Sequence, residues 1–212
     1  VLVATDDERI VQAVQAFGGK AVLTSPTHRS GTDRVAEAAR PLDAQVIINI
    51  QGDEPLIRPE PIDQLAQFLT AHRAVPMATV MTPLSREEDI QNSHVVKVVV
   101  DQDGYALYFS RAPIPCVRQH TAHSTQTSFK HLGLYGYQRE FLLRFPHLSP
   151  TPLEQLEQLE QLRVLEHGFK IKVLVTEHDT VAVDTPEDLA RVEIILAAAV
   201  KTKTGVCRAE RS

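Results

Sequence analysis

Short apolar runs and amphipathic stretches take turns along this chain, and that alternation restricts it to an α/β architecture. Strands are expected at 2–4, 21–23, 46–50, 77–81, 95–100, 106–109, 130–137 and 171–175. Helical patterns fall at 6–18, 32–40, 59–72, 138–145, 151–167 and 185–200. Asp101-Gln102-Asp103-Gly104 predicts a hairpin turn, so the sheet is expected to be mixed. Thr151-Pro152-Leu153-Glu154 and Thr185-Pro186-Glu187-Asp188 are helix starts, with a hydroxyl cap, proline in the first turn and acids on the positive end of the dipole. The triplet LEQ-LEQ-LEQ at 153–161 is expected inside one continuous helix, where a three-residue spacing spreads the leucines over a broad apolar face. Residues 1–200 form one expected domain, followed by a polar, frayed tail at 201–212.

The 212 residues carry a net charge of −5, which disfavours non-specific nucleic-acid binding. The chain has no apolar run long enough for a transmembrane helix and no secretory signal pattern. Cys116 and Cys207 lie outside any C-x-x-C spacing, as suits a cytoplasmic protein without disulfides. The chain opens at Val1 directly in a strand pattern, which sets up the expectation of a fragment missing its first elements.

Candidate chemistry sits where apolar runs stop. VIINI ends in Gln51-Gly52-Asp53-Glu54-Pro55, and ligands of open α/β sheets bind beyond the carboxyl ends of strands. Asp53 there can hold Mg²⁺ or cap a turn before Pro55. Asp184 closes a second apolar run, Val181-Ala182-Val183, and two strand-end aspartates suit a metal-assisted phosphoryl transfer; a helix flank is the simpler reading. Thr27-His28-Arg29-Ser30-Gly31-Thr32-Asp33-Arg34 can cradle a base or phosphate at a helix start, or merely cap it. Arg111, after Tyr108-Phe109-Ser110, can grip a carboxylate or phosphate, or form a surface salt bridge. Period-two alternation places His131, Gly133, Tyr135 and Tyr137 on one strand face, open to a ligand through the glycine or filled by tyrosine packing. His120-x-x-His123 lacks the acid or cysteine partners of a metal site. There is no P-loop and no G-x-G-x-x-G.

Taken together, INIQGDEPLI, HRSGTDRVAEAA, VVKVVVDQDGYALYFSRAPIP, KHLGLYGY, SPTPLEQLEQLEQLRVLEHG and VAVDTPEDLARV resemble the 3-deoxy-manno-octulosonate (Kdo) cytidylyltransferases. The resemblance implies a Rossmann-like mixed sheet with flanking helices, of the nucleotide-diphospho-sugar transferase type, working as a cytoplasmic homodimer. It implies transfer of CMP from CTP to Kdo with Mg²⁺, in lipopolysaccharide synthesis. Asp53 and Asp184 match the metal-binding acids and, with Arg111, the expected catalytic set. Ser30, Gly31 and Thr32 match the cytidine segment, with Arg34 beside them. Gln51, Arg111, His131, Tyr135, Glu160 and Gln161 match the Kdo-binding set. Only the family's E-Q-L-R pattern selects Glu160 over Glu154 and Glu157. Within QGDEP, Asp53 is expected to face the metal and Gln51 the sugar, while Glu54-Pro55 turns the chain away. The family's opening strand and its Arg- and Lys-bearing triphosphate loop find no match, which implies an N-terminally incomplete chain with negligible turnover of its own. Activation of another acidic sugar such as sialate, and non-catalytic sugar or nucleotide binding, are the competing expectations.

Overall fold

A computed structural model describes residues 1–116, 118, 128–180, 182–183 and 185–209, with side chains as far as Ala198. Its strands are β1 (Val3–Thr5), β2 (Ala21–Leu23), β3 (Val46–Ile50), β4 (Met77–Pro83), β5 (Lys97–Val100), β6 (Ala106–Ser110), β7 (Phe129–Gln138) and β8 (Ile171–Val175). The helices are α1 (Glu8–Ala16), α2 (Gly31–Ala39), α3 (Pro59–Ala71), α4 (Glu87–Gln91), α5 (Arg139–Arg144), α6 (Pro152–Glu157), α7 (Gln161–Glu166) and α8 (Pro186–Ala209).

The expected mixed sheet is present. Six strands run β6-β5-β7-β4-β8, with β3 also on β7. Strand β4 pairs along β7 from Phe129 to Tyr137, so β5 and β3 share the opposite edge, β5 at Phe129–Lys130 and β3 at 134–138. Strands β1 and β2 form a separate parallel pair. The hairpin turn forms as expected: the Asp101 carboxylate accepts from Asp103 N and Tyr105 N, and Gly104 takes φ +73°.

Alternation along β7 builds two cores. Leu132 and Leu134 pack with Leu65 and Leu69 of α3. Tyr135 and Tyr137 pack on the other face with Met77, Phe109, Phe141 and Leu162. Leu65 and Leu69 have no solvent exposure, and each such burial contributes about 1.5–3 kcal/mol. Gly136 makes the close approach of α3 possible, because a Cβ there would lie 2.5 Å from Leu69 Cδ1.

Three expectations about local structure change. The helix expected over 151–167 is two helices, broken at Gln158, whose φ of +54° is left-handed. The break turns Leu159 and Leu162 into the core while Leu156 stays 80% exposed, so burial overrides the propensity of a continuous helix. Residues 182–183 belong to no strand. Helix α8 continues past 200 to Ala209, since no proline stops it. Helix α4 went unanticipated because five residues are too few to establish a period.

Candidate functional site

The site is built at the carboxyl end of β3. Strand β7 bulges there: Thr79 faces Tyr135, but the next β4 residue, Val80, faces Leu132. Thr79, with no solvent exposure, plugs the bulge by donating to Leu134 O at 2.8 Å. Its single proton is thereby used, so His131 Nε2 must be the donor in their 2.9 Å contact. Burial holds His131 down to about 3, which keeps the ring neutral, and Phe109 meets it edge-on. The displaced Gly133 leaves space against which Gln51 and Glu54 lie: a Cβ on it would stand 3.4 Å from both Gln51 Cγ and Glu54 Oε1. Glu54 does more than turn the chain. It is 7% exposed, and burial pushes its carboxyl above the usual range.

The N-terminus of α2 closes a second side. Ser30 caps it, accepting from Asp33 N at 3.2 Å. Gly31 brings the helix start against Gln51, whose Oε1 would be 3.2 Å from any Cβ there. Thr32, 1% exposed, donates to Glu160 Oε2 at 2.9 Å and lies 3.4 Å from the Tyr137 hydroxyl. Arg34 points elsewhere, bonding Thr24 Oγ1 at 2.7 Å and Asp6 at 3.1 Å, and so ties α2 to the end of β1.

The break between α6 and α7 gives three glutamates of identical local sequence three different environments. Glu154 completes a capping box with Thr151 and pairs with Arg163. Glu157 accepts from Ser110 Oγ at 2.6 Å and Arg111 N at 2.9 Å. Glu160 points into the site, where burial raises its carboxyl. Gln161 beside it accepts from the Tyr135 hydroxyl at 3.2 Å, and burial drives that hydroxyl well above its ordinary range.

Arg111 makes no salt bridge among the described residues. Its Nε donates to Glu157 O at 2.8 Å, Nη1 to Ser93 O at 3.2 Å and Nη2 to Gln158 O at 3.4 Å. Two of its five N–H groups remain without an acceptor among the described residues.

The fold thus brings Ser30, Gly31, Thr32, Gln51, His131, Tyr135, Glu160 and Gln161 together, with Arg111 alongside on the α6–α7 break, and turns Arg34 away. Asp53 is exposed beyond β3, and its carbonyl accepts from Val183 N at 2.8 Å. Asp184 lies outside the described residues, as do His120 and His123. The described residues hold no cluster of three His, Cys, Asp or Glu able to enclose a metal. The exposed Asp53 carboxylate is a hard oxygen donor and fits Mg²⁺, which keeps several waters and takes one or two protein carboxylates.

Asn49 and Glu54 are site residues that the sequence motifs do not single out. Among the described residues, buried Asn49 Nδ2, Glu54 Oε2, Glu160 Oε1 and Gln161 Nε2 find no partner in hydrogen-bond geometry. An asparagine inside VIINI was the visible signal, since a polar side chain interrupts an otherwise apolar strand.

A mixed α/β sheet with flanking helices and a polar site beyond a strand end is the architecture of the nucleotide-diphospho-sugar transferase class. A solved 4-diphosphocytidyl-2C-methyl-D-erythritol synthase from Anaerococcus prevotii matches with a TM-score of 0.54, covering 91% of this chain and 78% of its own; at 14% identity the likeness concerns the fold alone. The Cytidylyltransferase family matches residues 1–171. The 3-deoxy-manno-octulosonate cytidylyltransferase of Geotalea daltonii is 52% identical over 200 residues, 91% of this chain and 79% of its own length. That of Syntrophobacter fumaroxidans is also 52% identical, over 93% of this chain and 80% of its own. A solved CMP:2-keto-3-deoxy-manno-octonic acid synthetase complexed with CTP superposes with a TM-score of 0.86 at 42% identity, covering 94% of this chain and 81% of that one. This chain belongs to the 3-deoxy-manno-octulosonate cytidylyltransferase family. The chain spans about four-fifths of the length of these relatives. No helix among the described residues is long and apolar enough to cross a membrane.

Proposed function

We propose that this protein transfers CMP from CTP to the anomeric hydroxyl of Kdo, releasing pyrophosphate and producing CMP-Kdo, a lipopolysaccharide precursor. The observation that carries the reading is that, among the described residues, four of the buried atoms without a hydrogen-bond partner belong to this site: Asn49 Nδ2, Glu54 Oε2, Glu160 Oε1 and Gln161 Nε2. Each buried group left unmatched costs about 1–3 kcal/mol. A ligand rich in hydroxyls, each both donor and acceptor, relieves that cost.

In this reading Gln51, Glu160 and Gln161 bind sugar hydroxyls. His131 and Tyr135, locked onto Thr79 and Gln161, hold the wall behind them. The two remaining N–H groups of Arg111 meet the sugar carboxylate, and Ser30, Gly31 and Thr32 face the nucleoside. The anomeric oxygen forms a bond to the α-phosphorus as the bond to the β-phosphate oxygen breaks; pyrophosphate leaves with the electron pair and the hydroxyl proton passes to solvent. Asp53 would hold Mg²⁺ together with Asp184, which follows Val183 directly in sequence. When bound, the ion offsets negative charge on the phosphates.

The test is pyrophosphate release with CTP and Mg²⁺, supplying Kdo in one series and sialate in another. Release with Kdo alone is expected. Release with sialate alone overturns the sugar assignment, and CMP or Kdo binding without release overturns the catalytic one.

A further inference from the structure

Lys97 stands in the middle of VVKVVV on β5 and has no solvent exposure. A methionine would fill similar space without the cost of desolvating an ammonium. Its Nζ donates to Asn92 O at 2.9 Å, Val95 O at 2.6 Å and Arg111 O at 2.5 Å. Three carbonyls consume all three N–H groups, so the charged form is the one the geometry requires. The charged groups facing it are Glu157 and Arg111. Burial works against the ammonium and Glu157 supports it.

The three carbonyls are not scattered. Asn92 and Val95 bound the turn before β5, and Arg111 follows β6. Ser93, in that same turn, accepts from Arg111 Nη1 at 3.2 Å. The turn therefore holds Arg111 twice, once through its side chain and once, by way of Lys97, through its main chain. Glu157 secures the other side through Arg111 N.

We propose that Lys97 is a positioning residue for sugar binding: its buried ammonium clamps the main chain of Arg111 to the 92–95 turn and so aims the free edge of the guanidinium at the substrate carboxylate. The inference rests on the proposed role of Arg111. Lys97 itself touches no substrate.

Lys97→Met keeps the volume and removes all three donors; Lys97→Gln keeps two. Both are compared with Arg111→Met and with the Lys97→Met/Arg111→Met pair, measuring pyrophosphate release against Kdo and CTP separately, together with thermal unfolding. Misaiming a substrate-gripping group raises KM for Kdo in Lys97→Met on the order of tenfold to a hundredfold, with KM for CTP nearly unchanged and Lys97→Gln in between. The pair should be little worse than Arg111→Met alone, because both changes remove the same grip. Where Lys97→Met fails to fold, Lys97→Gln carries the comparison. A lower unfolding temperature with both KM values unchanged assigns Lys97 a merely structural role and overturns the proposal. Additive effects in the pair overturn it too. An Arg111→Met variant with unchanged KM for Kdo overturns the Arg111 assignment and this inference with it, whereas a shift in Arg111→Met but none in either Lys97 variant sinks this inference alone.

Discussion

Gly133 and Gly136 lie three residues apart on β7 and face opposite sides of the sheet, so a single methyl at each should separate function from stability. At Gly136 the new Cβ falls 2.5 Å from Leu69 Cδ1 and 3.1 Å from Ile48 Cδ1. Ordinary contact begins near 3.4 Å, so the overlap with Leu69 is about 1 Å. Leu69 and Leu65 have no exposure and cannot swing outward without opening a void. Overpacking of this kind costs about 1–3 kcal/mol, and the lower chain entropy of alanine returns up to about 1. Gly136→Ala should therefore lose about 1–2 kcal/mol, which for a chain of this size lowers Tm by roughly 2–8 °C. At Gly133 the added Cβ meets Gln51 Cγ and Glu54 Oε1 at 3.4 Å, an ordinary contact. Gly133→Ala should keep its Tm within about 2 °C yet raise KM for the sugar on the order of tenfold, because the methyl takes up space that the sugar would fill beside Gln51 and Glu54. Calorimetry and steady-state pyrophosphate release on the two variants check this. An unchanged Tm in Gly136→Ala refutes the packing argument, and an unchanged KM in Gly133→Ala refutes the placement of the sugar against β7.

Other perturbations follow from the same geometry. His131 is held neutral down to about 3, so below its ordinary value of 6.5 the unfolded chain takes up a proton that the native one refuses. Its contribution to stability is complete above pH 6.5 and falls by about 1.4 kcal/mol per pH unit toward pH 3; urea midpoints of wild type and His131→Asn should converge in slope against pH if that is wrong. Gln158→Gly should stabilise by up to about 1 kcal/mol, because a non-glycine residue carries the left-handed φ of +54°; a lower urea midpoint would contradict it. Glu154→Ala leaves Arg163, 8% exposed, without its acid and should cost about 3–5 kcal/mol in denaturant unfolding, whereas a cost under 1 would show the pair to be solvated. Asp53→Asn should fold normally and lose at least a hundredfold in kcat, and retention of turnover would remove Asp53 from the metal site.

Much of this protein lay open in its linear order. Strands β2, β3 and β8, the hairpin at Asp101–Gly104, and the Thr151 and Thr185 helix starts depend on near neighbours: alternation, turn chemistry and hydroxyl caps act over a few residues. QGDEP was recognisable as a strand end with chemistry because two acids and a proline cannot continue a buried run. The roles of Glu154, Glu157 and Glu160 were not recoverable from spacing, since all three sit in the same LEQ context. Only long-range partners separate them: Arg163 for the first, Ser110 and Arg111 for the second, Thr32 for the third. The left-handed Gln158 that makes this possible is unfavourable locally and is held by burial of Leu159 and Leu162. Lys97 and Asn49 belong to the same class. A polar residue in an apolar strand announces that something must satisfy it, but the carbonyls, and the place left for a ligand, come from chain segments that meet only when the sheet closes.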